Sequence, residues 1–130
     1  MSHAREELTV YIIEDSAMVR ERLVEAIDEI PQARIVGHAE TAAEALSALS
    51  NIRPCVLIVD VQLREGSGFS VLKSMRARNI EWPPLVIVVT NHPRADYREI
   101  SLKFGADYFL DKAAEFDQLR EAMLRMLPAA

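Results

Sequence analysis

A chain of 130 residues has room for one ordinary domain and no second one, so residues 1–130 are read as a single unit with its core between about 8 and 127. Half of the residues are hydrophobic, enough for a sizeable core, and the net charge of -5 with no basic run argues against unassisted binding to nucleic acid or an anionic membrane. The one cysteine excludes an internal disulfide and fits a reducing compartment. The charged start and the lack of any stretch near the ~18 apolar residues of a membrane helix lead to a cytoplasmic reading.

The first apolar, β-branched run, Leu8 to Ile13, reads as a strand. Ala17 to Ile30 sets Val19, Leu23, Ile27 and Ile30 on one helical stripe, and Pro31 ends it. Ala33 to Ala39 is a second strand, and Thr41 with Glu44 reads as a capping box opening a helix to about Ser50. The run Cys55 to Asp60 is apolar on both faces, the pattern of a central parallel strand, with Cys55 as a small buried hydrophobe. Arg64 to Gly68 has loop composition, and Phe69 to Arg78 predicts a helix with Phe69, Leu72 and Met75 facing inward. After Pro83 and Pro84 come a strand over Leu85 to Val89 and a helix over Arg94 to Phe104, closed by Gly105 as a cap. A short strand, Tyr108 to Leu110, and a helix over Ala114 to Leu127 with Phe116, Leu119, Met123 and Leu127 on one stripe complete the chain.

Five strands alternating with five helices imply an α/β fold, a doubly wound parallel sheet with helices on both faces. In such sheets ligands bind at the carboxyl ends of the strands. Glu14 and Asp15 follow strand one there, Asp60 ends strand three, Thr90 follows strand four and Lys112 follows strand five. Each alone has an ordinary explanation: helix-terminal charge, a loop carboxylate, a turn hydroxyl, a solvated lysine. Together they point to chemistry. Three carboxylates at one edge repel one another unless a cation joins them, and Mg²⁺ suits an all-oxygen site that also handles phosphate.

These residues resemble the receiver domains of two-component response regulators. The resemblance covers about residues 8 to 127 and rests on Ile12-Ile13-Glu14-Asp15, on Val59-Asp60-Val61-Gln62-Leu63 with Gly68, on Val88-Val89-Thr90, and on Gly105 through Lys112. It implies a flavodoxin-like (βα)5 domain with strand order 2-1-3-4-5, similar to stand-alone chemotaxis regulators without an output domain. It also implies roles for the site residues. Asp60 is the phosphoacceptor. Asp15, Asp60 and the backbone carbonyl of Gln62 bind Mg²⁺ directly, and Glu14 acts through metal-bound water. Lys112 and the Thr90 hydroxyl bond phosphoryl oxygens, and Phe109 is the switch aromatic paired with Thr90. The implied partners are a histidine kinase or histidine phosphotransfer protein and a downstream protein target, met through the face formed by the fourth helix, fifth strand and fifth helix. Neither nucleic acid nor membrane is bound directly, the chain being a monomer or a phosphorylation-dependent dimer. It is read as a switch, not an enzyme.

The chain departs from the usual receiver pattern at several positions. Ala113 stands where proline usually follows the lysine, which raises the cost of a cis peptide from about 0.5–1 to about 2.5–4 kcal/mol. Arg64 replaces a frequent proline, so the loop after Asp60 loses a fixed φ. Asn91 replaces a small residue and is expected to slow small phosphodonors, and Gln62, Asn91 and His92 occupy rate-tuning positions. The alternative is a degenerate receiver that binds partners without phosphorylation. A haloacid-dehalogenase-like phosphatase would need a second aspartate at the position of Gln62, and a flavodoxin-like cofactor binder would need a Ser/Thr/Gly-rich loop where Glu14 and Asp15 stand.

Overall fold

Strands that are apolar on both faces belong in the middle of a sheet covered by helices on both sides, and the computed structural model, which describes residues 7–78, 84–91, 94–111 and 116–126, has that form. In chain order the elements are β1 (Leu8–Ile13), α1 (Ala17–Asp28), β2 (Ala33–Ala39), α2 (Ala42–Leu49), β3 (Val56–Asp60), α3 (Gly68–Ala77), β4 (Leu85–Thr90), α4 (Ala95–Lys103), β5 (Tyr108–Asp111) and α5 (Phe116–Leu124). All strand pairs are parallel, in the order β2-β1-β3-β4-β5, as expected. Every residue of β3, the central strand, is buried. By contrast β2, at the sheet's edge, buries only Ala39.

The period-2 alternation of side chains splits the core in two. On one face Val10, Ile12, Ile58, Val89 and Leu110 pack with Leu23 and Ile27 of α1 and Leu119 and Met123 of α5. On the other, Tyr11, Ile13, Leu57, Val59, Val88 and Phe109 pack with Ala42 and Ala45 of α2 and Val71, Leu72 and Met75 of α3. α4 is held more lightly, with Ser101 as its one fully buried residue. Its end is a Schellman motif: Gly105 has φ +95°, its N–H donates to the Leu102 carbonyl, and the Ala106 N–H donates to the Ser101 carbonyl.

Some local expectations need correction. Thr41 caps α2, its Oγ1 accepting from the Glu44 N–H at 3.2 Å, but the Glu44 carboxylate accepts from the Thr41 hydroxyl and the Glu40 N–H, so the capping box is only half formed. A complete box opens α3 instead, between Ser67 and Ser70. Leu72 and Met75 face the core as expected, joined by Gly68 and Val71, and Phe69 packs against it only half-buried, edge-on to Tyr97 with ring centroids 5.6 Å apart. Gly68 is thus the first residue of α3 and not part of the loop. Cys55 is half-buried, taking a hydrogen bond from the Thr9 hydroxyl. α1 ends at Asp28, although Ile30 still belongs to the core. The Phe116 side chain and Leu127 lie outside the described residues.

Tyr11 supplies a pH test of this packing. Burial first, and the nearby Glu44 carboxylate second, push its hydroxyl above the ordinary value of 10.0. Below that pH the ring is neutral in both states, so its contribution is intact. As pH rises through 10 the unfolded chain ionises first, and stability is lost up to the raised folded value. Urea midpoints taken on both sides of pH 10 should converge between wild type and Tyr11→Phe at the lower pH and separate in favour of Phe at the higher. Parallel loss in both proteins would contradict the assignment.

Candidate functional site

The carboxyl ends of β1, β3 and β4 bring the polar residues together. Glu14, one residue past β1, is fully buried. Its N–H donates to the Ala39 carbonyl at 2.9 Å, so the β1–β2 ladder continues into the site. Its Oε2 accepts from the Ser16 N–H at 3.1 Å, at the start of α1, where Ser16 also caps the helix by accepting from the Val19 N–H. The carboxylate therefore sits at a helix N-terminus, whose dipole favours negative charge. Asp15 is half-exposed. Asp60, the last residue of β3, is 4% exposed, and its Oδ1 accepts from the Gln62 N–H at 3.3 Å.

One carboxylate oxygen from each of Glu14, Asp15 and Asp60 can be chosen so that all three lie within 4.8 Å of one another. They line a cleft of about 350 Å³ with Ser16, Val19, Gln62, Leu63, Thr90 and Asn91. Thr90 is buried at the end of β4, and Asn91 is exposed at the cleft. An all-oxygen set of three close carboxylates is the donor chemistry of a hard divalent cation, so these residues fit Mg²⁺. Phe109 does not line the cleft. Its ring is buried on the side of the sheet that carries Val88, with the Arg98 guanidinium 5.2 Å from its centroid. Lys112, Ala113 and His92 lie outside the described residues.

The loop after Asp60 is fixed without proline. The Gly68 N–H donates to the Val61 carbonyl, the Ala42 N–H donates to the Glu65 carbonyl, and Arg64 lies 3.8 Å from Glu44. Gly66 takes φ +81°. Gly68 has a different reason to be glycine: a Cβ there would stand 2.2 Å from the Asp60 carbonyl oxygen. Ser16, which lines the cleft, and Arg20, which donates to the Glu14 carbonyl beside it, are not singled out by the sequence. Ser16 was legible as a capping residue before the first helical stripe. Arg20 was not, since an arginine on an amphipathic helix reads as solvent-facing.

Among the described residues no helix is long and apolar enough to cross a membrane. Comparison with known proteins gives the family. The response regulator receiver domain family matches residues 10–124. The chain is 26% identical over 129 residues to a protein-glutamate methylesterase/protein-glutamine glutaminase of Treponema denticola, covering 95% of this chain and 35% of that protein. Among solved structures it superposes on the signal receiver domain of NarL from Mycobacterium tuberculosis with TM-score 0.82 at 26% identity, covering 92% of this chain and 95% of that one. The response regulator domain of Thermotoga maritima CheB gives TM-score 0.76 at 26% identity, covering 92% of each. The chain spans between about a third and just over half of the length of the curated relatives it matches, at 35%, 57% and 48%. With the family matching residues 10–124 and its fold and strand order present, the chain belongs to the response regulator receiver domains of two-component systems.

Proposed function

We propose that the chain is a phosphorylation switch that takes a phosphoryl group onto Asp60 from a phosphohistidine of a histidine kinase or histidine phosphotransfer protein, in the cytoplasm. The observation that carries this reading is the convergence of the Glu14, Asp15 and Asp60 carboxylates within 4.8 Å at the carboxyl edge of the sheet. Asp15, Asp60 and the Gln62 carbonyl would hold Mg²⁺ directly, and Glu14 through water. When bound, the ion supplies the positive charge that lets anionic phosphate approach three carboxylates.

The chain's own groups do the rest. A carboxylate oxygen of Asp60 attacks phosphorus in line with the histidine nitrogen, the P–N bond breaks, and the nitrogen leaves with the electron pair. Backbone N–H groups and Lys112 offset the charge on the equatorial oxygens, so the protein mainly positions and neutralises. Water attack on the resulting acyl phosphate returns Asp60 to its carboxylate. The Thr90 hydroxyl bonds a phosphoryl oxygen of the phosphorylated state, and Phe109, on the same sheet face two residues from the register of Thr90, responds by repacking. The output passes through α4, β5 and α5 to a protein partner. The light burial of α4 supports this, because an element with one fully buried residue costs little to shift. Gln62, Asn91 and His92 tune the lifetime of the phosphorylated state.

The test is incubation with acetyl phosphate with and without Mg²⁺, read on a phosphate-affinity gel beside Asp60→Asn. A shifted band requiring both Mg²⁺ and Asp60 is expected, forming faster in Asn91→Ala because Asn91 crowds the cleft. Absence of a shift with acetyl phosphate and with phosphorylated kinases alike would replace this reading by phosphorylation-independent partner binding.

A further inference from the structure

Three loops meet on the β2 side of the acidic cleft, and polar side chains join them. Arg20, in the first turns of α1, has a side chain only 17% exposed. Its Nη1 donates to the Glu14 main-chain carbonyl at 2.7 Å and lies 3.5 Å from Oε1 of Glu40, in the turn between β2 and α2. The Glu40 N–H donates in turn to Oε1 of Glu44 at 3.3 Å, and that oxygen lies 3.8 Å from Arg64 in the loop after Asp60. The path runs from the segment that carries Glu14 and Asp15 to the segment that follows Asp60. Its two ends differ in weight. The Arg64–Glu44 pair is exposed on both sides, at 60% and 54%, and exposed pairs contribute little. The contacts of Arg20 are shielded and include a short, charge-assisted bond to main chain.

We infer that Arg20 is a positioning residue for the cation site, fixing the Glu14 peptide, and through it the directions of the Glu14 and Asp15 carboxylates, by bracing that peptide's carbonyl against Glu40. The inference rests on the reading of Glu14, Asp15 and Asp60 as a Mg²⁺ site. A guanidinium suits the task because its planar fork holds a carbonyl and a carboxylate in fixed directions at once, which a lysine ammonium does not. The role is separable from charge alone, since the two act with opposite sign. A cation beside three carboxylates disfavours binding of a second cation, so removing a mere charge would tighten Mg²⁺ binding. Removing a brace loosens it.

The test is titration of the full chain with MgCl2, followed by the amide resonances of Glu14, Asp15 and Ser16, for wild type, Arg20→Met and Arg20→Lys, with urea unfolding of each to establish that it is folded. Arg20→Met is expected to bind Mg²⁺ about 10-fold more weakly than wild type, the scale typical of groups that orient metal ligands. Arg20→Lys, which keeps the charge and the stem and guards against an unfolded Met variant, is expected to fall between the two. Binding by Arg20→Met as tight as or tighter than wild type overturns the role, as does wild-type affinity in Arg20→Lys if the Met variant does not fold. Wild type that shows no saturable Mg²⁺ binding overturns the cation reading itself and this role with it, whereas wild-type binding with unchanged variants overturns the role of Arg20 alone.

Discussion

Gly68→Ala is expected to lower the unfolding free energy by about 2 kcal/mol and to disturb Asp60 at the same time. The added Cβ would stand 2.2 Å from the Asp60 carbonyl oxygen, 2.7 Å from Val59 Cγ1 and 3.0 Å from the Asp60 carbonyl carbon. Two of these neighbours are main chain of the central strand and cannot swing aside as a flexible side chain would. Overpacking of this kind costs about 1–3 kcal/mol. Alanine's better helix propensity returns less than about 1 kcal/mol at the first position of α3. Relief requires moving α3 away from β3, and the segment that must yield is the one whose last residue carries the proposed phosphoryl site. Urea unfolding measures the loss, and the rate of acetyl phosphate labelling should fall with it. A Gly68→Ala protein as stable as wild type would mean that α3 is free to shift, contrary to the close contact described.

Mg²⁺ at about one hundred times its dissociation constant should raise the unfolding free energy of the wild type by about 2.7 kcal/mol, because an ion that binds only the folded chain stabilises it by mass action. Asp15→Asn should lose most of that increment, since it removes one of the three carboxylates that converge within 4.8 Å. Without the ion the order reverses. Asp15→Asn should then be at least as stable as wild type, because it relieves repulsion with Glu14 and Asp60. Two urea series, with MgCl2 and with EDTA, read both signs. Asp15→Asn less stable than wild type in EDTA would show that Asp15 serves packing and not a cation.

The architecture was largely legible in the sequence because its strands are nearly pure signals. β1 and β2 have the bounds read from their apolar runs, and β3 and β4 differ by one residue at one end, since Pro54, Pro84 and the polar strand ends punctuate them. The same clarity exposed Glu14, Asp15, Asp60 and Thr90, for a polar residue at the end of a fully apolar strand has few other reasons to be there. Finer features depend on partners distant in sequence. Phe69 packs against the core as its spacing suggests but stays half-buried against Tyr97 of α4, and the close approach of Gly68 to β3 has no local signature. Glu44 has the spacing of a capping box, but its carboxylate accepts from the Thr41 hydroxyl and the Glu40 N–H and lies near Arg64, which no local pattern announces. The Ser67–Ser70 box escaped because serine at its fourth position lacks the acid or amide of the usual signature. Arg20 meets the site only through the fold, by contact with a main-chain carbonyl.

The order of the strands has a consequence for biosynthesis. Glu14, Asp15 and Asp60 all lie on β1, β3 and their ends, and these two strands pair directly with each other. All three carboxylates are synthesised before Thr90 is. The nascent chain therefore carries three acids, on two adjoining strands and their ends, before it owns the Thr90 hydroxyl. β4, which ends in Thr90, then adds to the open edge of β3, and β5 adds to β4. Vectorial synthesis thus makes the proposed cation-binding half of the site first and the proposed phosphate-reading half last.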